Sequence, residues 1–195
     1  MLLLEALPGR SAYVEMQSRF LPRRFVRRHF LAAARWIASF HAETRVQGRF
    51  CDSLNLSLPL SASHGDFWAR NLLVTDAGTA AVVDWEDARL EAPPFIDLFH
   101  FPLTYGLNYR WSRGRRLGAL AAFEKTFLDD NVVSRSVRMY FSTYCALRGL
   151  DPRVLRTLFD HFLIERSSQP SQDGQIPWLQ FSHLLKRANR YVFSG

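Results

Sequence analysis

The sequence predicts an α+β fold that is mostly helical and carries one short β-hairpin. Amphipathic stripes with helical spacing run through the first and the last parts of the 195-residue chain. Between them, two short apolar runs at 72–74 and 80–83 flank a turn segment that contains Asp76 and Gly78. A hydrophobic fraction of 48% excludes a disordered chain, so we expect a folded domain or one large lobe of a larger fold.

The first part of the chain predicts a short strand and a long helix. Residues 1–10 begin as an apolar strand that breaks at Pro8-Gly9. Pro22 is placed to open a helix, and Gly48 to close it. The apolar positions of this helix recur at steps of four and three, which predicts that one stripe faces a core: Val26, Phe30, Ala33, Ile37 and Phe40. We expect 49–62 to be a connecting loop.

The hairpin brings polar side chains together. If Ala77-Gly78 is its two-residue tip, Asn71 lies directly opposite Asp84. Facing residues of an antiparallel pair have Cβ atoms about 4.5–5.5 Å apart on one face, so both side chains would reach one Mg²⁺ with oxygen ligands at about 2.0–2.1 Å. Asp66, on the loop that enters the hairpin, is placed to accept a proton from a substrate hydroxyl.

The remainder of the chain predicts helices. Pro93-Pro94 stops any regular element after the hairpin, and Asp97 then falls where a helix opens. Further helical stripes follow around 117–128, 137–149, 151–162 and 178–191, with a polar loop at 167–175.

Charge and cysteine usage narrow the function classes. The chain has 25 basic and 18 acidic residues, and this excess of positive charge suits an anionic partner such as a nucleotide. No zinc spacing, basic region or RNA-binding signature supports nucleic acid as a partner. Cys51 and Cys145 are isolated, as in reduced, half-buried structural cysteines of a cytoplasmic protein. No apolar run approaches the roughly 18 residues that span a bilayer, so no membrane association is expected.

One motif resembles a known family. His64-x-Asp66-x-x-x-x-Asn71, followed by Asp84, is similar to the catalytic loop and metal-binding aspartate of the protein-kinase-like fold. His-Gly-Asp and Asp-Trp-Glu, in place of His-Arg-Asp and Asp-Phe-Gly, resemble the aminoglycoside phosphotransferase and choline kinase-like small-molecule kinases. The fold implied is the large, C-terminal lobe of such a kinase.

The resemblance implies a role for each motif residue. Asp66 is the catalytic base, and Asn71 and Asp84 bind Mg²⁺. His64 and Asp97 are structural supports of the catalytic loop. The implied reaction is transfer of a phosphoryl group from ATP, or another nucleoside triphosphate, to a hydroxyl of a small molecule.

The resemblance also divides the chain. Glu5, Ala6 and Leu7 are expected near the nucleotide base, in a strand that runs into the hinge. The expected parts are the end of the small lobe and hinge at 1–10, a helical part at 11–62, the catalytic loop and metal-binding hairpin at 63–97, and a helical acceptor-side subdomain at 98–195.

Two features of the family are missing from the sequence. There is no Gly-rich phosphate loop, and the first lysine is Lys125, far past the catalytic motif. We therefore expect that the small lobe is largely absent and that the 195 residues alone transfer phosphate poorly or not at all. The alternative is a noncatalytic kinase-fold remnant that acts as a binding or scaffold module. The acceptor is expected to be neutral or anionic, because 98–195 contain 14 Lys/Arg against seven Asp/Glu.

Overall fold

The fold is mostly helical α+β with small antiparallel sheets. The computed structural model describes residues 7–18, 21–47, 49–51, 57–111, 115–168 and 176–187. The helices within these ranges are α1 Ala12–Met16, α2 Arg23–Glu43, α3 Phe95–Asn108, α4 Ala119–Phe127, α5 Val132–Arg148, α6 Val154–Ser168 and α7 Trp178–Arg187. The strands are β1 Arg10–Ser11, β2 Arg49–Cys51, β3 Ser57–Pro59, β4 Ser61–Ser63, β5 Leu72–Val74, β6 Ala80–Val82 and β7 Arg89–Ala92.

Helices α2 and α5 pack against each other over much of their length and form the centre of the core. The predicted stripe on α2 is confirmed: four of its five members are fully buried and Phe40 is partly buried. The predicted end of the helix is wrong. Thr44 ends it earlier, because its backbone N–H and its hydroxyl both donate to the carbonyl oxygen of Phe40, at 3.0 and 2.6 Å. Gly48 lies outside the described residues.

Aromatic side chains join α3 to this centre. The ring centroid of Phe30 on α2 lies 5.4 Å from that of Phe101 and 4.6 Å from that of Tyr105, both on α3. Phe99 on the same helix contacts Phe159 of α6, at 4.9 Å between ring centroids. Aromatic burial of this kind contributes several kcal/mol, about 1.5–3 for each side chain, so α3 is firmly held.

A buried histidine also joins α2 to α5. The Nδ1 atom of His41 lies 2.9 Å from the hydroxyl of Tyr144. Burial lowers the pKa of His41 to about 3, and the charge of Arg148 adds to this effect. The imidazole is therefore neutral in the folded protein at neutral pH.

Helix α1 is tied to the core by a polar network. Glu15 accepts two hydrogen bonds from Nη2 of Arg28, at 2.9 and 2.8 Å, and lies 2.6 Å from Nε2 of His29. Burial acts to raise the pKa of Glu15, but these hydrogen bonds outweigh it and lower that pKa. Burial lowers the pKa of His29, so the neutral ring donates from Nε2 while Nδ1 accepts from the Tyr105 hydroxyl at 3.0 Å.

The sheets are small and lie around the segment 61–92. Strand order is β1-β5-β6 in one sheet, while β2 pairs with β3 and β4 pairs with β7. The prediction of a plain loop over 49–62 is wrong, because β2, β3 and β4 lie there. These strands are three residues long, and the partner of β4 comes after the hairpin. Such pairing leaves no local alternation pattern that a sequence could reveal.

The predicted hairpin exists, but its register is shifted by one residue. Leu72 pairs with Val82, and the Val83 N–H donates to the carbonyl of Asn71 at 3.0 Å. Asn71 therefore faces Val83, and the predicted position directly opposite Asp84 is wrong.

The turn chemistry explains the shift. Gly78 has φ of 80°, and its N–H donates to the carbonyl of Thr75 at 2.9 Å. The Thr75 N–H in turn donates to the carbonyl of Thr79 at 3.0 Å. This is the three-residue hairpin loop in which a type I turn is followed by a left-handed glycine, in place of a two-residue tip.

The later helices are largely as predicted. Asn131 caps α5 and accepts the N–H groups of Val133 and Ser134, while Gly149 ends the helix with φ of 63°. Helix α6 follows Asp151-Pro152, and α7 begins at Trp178. The predicted continuation to 191 lies outside the described residues, as does 169–175 of the polar loop.

Two further expectations concern a cysteine and the membrane. Cys145 is a free cysteine, but it is fully buried and not half-buried as predicted. Burial raises the pKa of its thiol to about 11. The side chain of Cys51 lies outside the part of the chain that the structure describes. No helix among the described residues has the length and apolar character needed to cross a bilayer.

Candidate active site

The loop that leads into the hairpin is fixed on two sides. Phe67 is fully buried, with its ring 5.1 Å from Trp36 on α2 and 5.2 Å from Phe101 on α3. Two residues on, the carbonyl of Ala69 accepts the N–H of Tyr13 at the start of α1. Because three helices hold these two residues, the polar residues between and beside them occupy defined positions.

Asp97 holds the start of the loop. Its Oδ2 accepts the His64 N–H at 2.6 Å, and its Oδ1 accepts the Gly65 N–H at 3.0 Å. The carboxyl is fully buried. Burial raises its pKa, and the hydrogen bonds from the backbone oppose that effect without cancelling it. The contact is of the kind that the family resemblance implies for Asp97.

The glycine of the His-Gly-Asp motif is required by geometry. Gly65 has φ of 84°, a left-handed conformation. A Cβ atom at this position would lie 2.3 Å from the carbonyl oxygen of Asp87. An arginine, as in the His-Arg-Asp form of the motif, does not fit here without movement of the segment after β6.

His64 connects the loop to the end of β6. The ring is fully buried, and its Nε2 lies 3.0 Å from the carbonyl oxygen of Val83. A carbonyl oxygen only accepts, so Nε2 carries the proton. The centroid of the Trp85 ring lies 4.6 Å from that of His64, and Trp85 also contacts Trp36 and Phe40. Despite these contacts, Trp85 keeps 42% of its surface exposed.

Asp66 presents a carboxylate that is partly open to solvent and held in place. Its side chain is 40% exposed. The amide nitrogen of Asn71 donates both to its Oδ2, at 3.1 Å, and to its backbone carbonyl, at 3.0 Å. Asn71 is buried. Because this nitrogen is committed to Asp66, the amide oxygen is the atom that Asn71 offers to a cation.

His100 is a site residue that sequence reasoning left without a role. Its Nε2 lies 3.5 Å from Oδ1 of Asp66. This distance is long for a hydrogen bond, although such contacts tighten when substrate binds. His100 is the main cause that lowers the pKa of Asp66, with Asn71 contributing and partial burial acting against them. A signal was present: His100 lies three residues after Asp97 on one helix, and such residues share a face.

Asp84 has an uncommon backbone conformation. With φ of 70°, it is the one non-glycine residue in the left-handed region among the described residues. Aspartate tolerates this region better than most side chains, and such outliers concentrate at functional sites. The residue is exposed and lies two positions after the end of β6.

The donor atoms here fit a magnesium ion that is shared with a nucleotide. Across the described residues, no group of three or more His, Cys, Asp or Glu forms a metal cluster. Mg²⁺ sites in kinases commonly use one or two protein oxygen ligands together with substrate phosphates and water. The Asp84 carboxylate and the Asn71 amide oxygen are hard oxygen donors of this kind.

Of the three residues predicted to lie near the nucleotide base, the structure describes Leu7. Glu5 and Ala6 lie outside the described residues. Leu7 is 53% exposed and stands three residues before β1. Its contact with a nucleotide stays a prediction.

Comparison with known proteins agrees with the motif. A family model described as the phosphotransferase enzyme family matches residues 2–140. No curated protein and no solved structure matches the chain. The matched segment includes the whole loop at 64–71, the hairpin and α3, and it stops within α5.

Proposed function

The chain belongs to the phosphotransferase enzyme family, and from this premise we propose that it transfers the γ-phosphoryl group of ATP to a hydroxyl of a small molecule. The observation that carries the proposal is the state of Asp66: a carboxylate 40% exposed, held through Oδ2 by Asn71, on a loop that Asp97 fixes from beneath. An exposed carboxylate with such support has the fixed position that a catalytic group requires.

Asp66 is proposed to accept the proton of the acceptor hydroxyl. Its lowered pKa keeps the carboxylate ionised at neutral pH. As the hydroxyl oxygen bonds to the γ-phosphorus, the bond from that phosphorus to the bridging oxygen of ADP breaks, and the hydroxyl proton passes to Asp66. Phosphoryl transfer proceeds through a loose transition state, so placement of the hydroxyl counts for more than the strength of the base.

Asp84 and Asn71 are proposed to hold Mg²⁺. When bound, the ion neutralises charge on the nucleotide phosphates. The one-residue register shift places Asn71 opposite Val83, the residue next to Asp84, and the backbone of Asp84 is left-handed. That both side chains reach one ion is part of the proposal. His64 keeps the two segments together through its hydrogen bond to Val83.

The proposed architecture is the large lobe of a kinase-like fold. A catalytic loop, a short hairpin and a set of helices follow one another in the order that the motif implies. On this reading, Glu5, Ala6 and Leu7 lie beside the nucleotide base, and the helices within 98–195 surround the acceptor.

The test separates binding from chemistry. Asp84→Asn keeps a side chain that tolerates the left-handed backbone but removes the charge, so we expect it to abolish Mg²⁺-dependent ATP binding in calorimetry. Asp66→Asn is expected to bind Mg-ATP normally and to lower turnover at least about 100-fold. Asp76→Asn, at an exposed carboxylate of the hairpin turn, is the matched control and leaves both unchanged.

Two results contradict the proposal. Unchanged Mg-ATP binding by the Asp84→Asn variant removes the metal assignment. Mg-ATP binding without transfer to any hydroxyl compound or to water, by the 195 residues alone and by the same residues joined to a kinase small lobe, indicates a noncatalytic binding module.

A further inference from the structure

The carboxylate of Asp66 is approached on both of its oxygens. Asn71 donates to Oδ2 from the catalytic loop, and His100 lies 3.5 Å from Oδ1 on helix α3. Two contacts from different elements restrict rotation of a carboxylate far more than one. We propose, on the premise of the phosphotransferase function, that His100 is a positioning residue for Asp66 and that Arg166 holds His100 in the tautomer that this role needs.

Arg166 is what selects the tautomer. Its Nη2 lies 3.3 Å from Nδ1 of His100. A guanidinium group has donors and no acceptor, so Nδ1 must be the accepting nitrogen. The ring proton is then on Nε2, the atom that faces Oδ1 of Asp66. Asp66 accepts and Arg166 donates, so the ring is polarised in one direction.

Arg166 itself is held by aromatic packing. Its guanidinium carbon lies 5.8 Å from the ring centroid of Phe162 and 5.9 Å from that of Trp178. Cations over aromatic faces at this distance are attracted to the ring. The contacts bring together α6 and α7, and thereby place the guanidinium beside α3.

The pair connects two parts of the chain. His100 lies within the segment that the family model matches, and Arg166 lies 66 residues further on, beyond residue 140. Arg166 therefore connects α6 to the base of the proposed reaction through His100. Because Asp66 keeps 40% of its side chain exposed, the acceptor hydroxyl has access to the carboxylate while its two oxygens stay fixed.

The first experiment reads the tautomer directly. Two-bond ¹H–¹⁵N spectra of the ¹⁵N-histidine-labelled protein should show His100 protonated on Nε2, with Nδ1 at the position of a hydrogen-bonded acceptor. In Arg166→Met, the Nδ1 resonance should move to that of an acceptor without a donor. Arg166→Lys, which keeps a charged donor, should shift it less. A proton on Nδ1 of the wild-type protein, or an unchanged Nδ1 resonance in Arg166→Met, overturns the inference.

The second experiment reads positioning. His100→Ala should lower kcat about 10–100-fold with the KM for Mg-ATP unchanged, since misplacement of a reacting group by about 1 Å has costs of this order. His100→Gln, which keeps an N–H donor near the Nε2 position, should recover most of the loss. Equal kcat in wild type and His100→Ala, at matched thermal stability, overturns the positioning role.

The two experiments separate the inference from its premise. If no phosphoryl group is transferred to any acceptor by the 195 residues, either alone or joined to a kinase small lobe, the proposed function fails and the positioning role fails with it. The spectra still decide whether Arg166 sets the tautomer of His100, because they need no turnover.

Discussion

The buried Oδ2 atom of Asp97 accepts the backbone N–H of His64 at 2.6 Å, although the two residues lie 33 positions apart in the chain. The same carboxylate accepts the next N–H through its other oxygen, so one buried side chain satisfies two consecutive donors. This arrangement sets the direction in which the loop leaves β4 and therefore where Asp66 stands.

The first prediction concerns this carboxylate. Asp97→Ala leaves the buried N–H of His64 without an acceptor, which costs about 1–3 kcal/mol. The N–H of Gly65 also loses its bond to Asp97 and keeps only the hydroxyl of Ser63, at 3.1 Å. We expect a loss of about 2–5 kcal/mol in the free energy of unfolding, measured by urea denaturation. Asp97→Asn keeps one acceptor oxygen and should lose roughly half as much. Equal stability of the wild type and Asp97→Ala contradicts the proposed support.

The second prediction compares two glycines with similar backbone angles. Gly65 and Gly78 have φ of 84° and 80°, but a Cβ at Gly65 would lie 2.3 Å from the Asp87 carbonyl oxygen, while a Cβ at Gly78 meets nothing within 4 Å. Gly78→Ala should therefore cost only the left-handed conformation, about 1–2 kcal/mol.

Gly65→Ala should cost the same conformational term and also displace the segment from Asp84 to Asp87. We expect a clearly larger loss of stability and a loss of Mg-ATP binding, which the Gly78 variant keeps. Denaturation curves and calorimetry on the two variants measure both effects. Similar losses in the two variants mean that the approach to Asp87 carries no weight.

Local patterns predicted the helices and the two hairpin strands, but they did not predict the register. The sequence predicts Gly78 as part of a two-residue tip, whereas its left-handed conformation closes a three-residue loop. Because the loop is one residue longer than predicted, Asn71 faces Val83 and not Asp84. Turn geometry of this kind depends on hydrogen bonds that the residue types alone do not fix.

The candidate site divides in the same way. The motif located Asp66, Asn71 and Asp84 because their spacing is local. Arg166 reaches His100 across 66 residues and a separate helix, so no pattern near either residue pointed to the pair. Contacts between distant helices depend on packing, which periodicity does not specify.

The third prediction concerns pH. The pKa of His41 is about 3 in the folded protein, against an ordinary value near 6.5. Above pH 6.5 the ring is neutral in both the folded and the unfolded protein, so protonation of His41 does not lower the free energy of unfolding there. As the pH falls toward 3, the unfolded chain binds a proton that the folded protein does not. Stability should therefore fall by up to about 1.4 kcal/mol per pH unit for this group.

His41→Gln keeps a polar partner for Tyr144 and cannot titrate. Its stability, from denaturation at several pH values, should depend less steeply on pH between 6.5 and 3 than that of the wild type. His183→Gln, at an exposed position on α7, is the control and should keep the wild-type slope. Parallel slopes for wild type and His41→Gln contradict the assignment of a neutral buried ring.

The last prediction concerns the acceptor. Within 98–195 there are 14 Lys/Arg and seven Asp/Glu, and several of the acids already have basic partners. The ion pairs are Lys125 with Asp129, Arg135 and Arg138 with Asp130, Arg153 with Asp151, and Lys186 with Asp160. To pair with these acids, a polycationic aminoglycoside would have to displace their basic partners. In addition, Arg166 contacts His100, which lies 3.5 Å from the proposed base, Asp66. Like charges placed together weaken binding and slow association.

We therefore expect a neutral or anionic hydroxyl compound, such as a sugar or sugar derivative, to be the better acceptor. A panel of sugars, sugar acids and aminoglycosides at matched ionic strength measures this through kcat/KM. Raising the salt concentration should weaken the anionic acceptors and leave neutral ones nearly unchanged, because screening acts only on charged groups. Preferential phosphorylation of aminoglycosides over the other compounds of the panel contradicts the prediction.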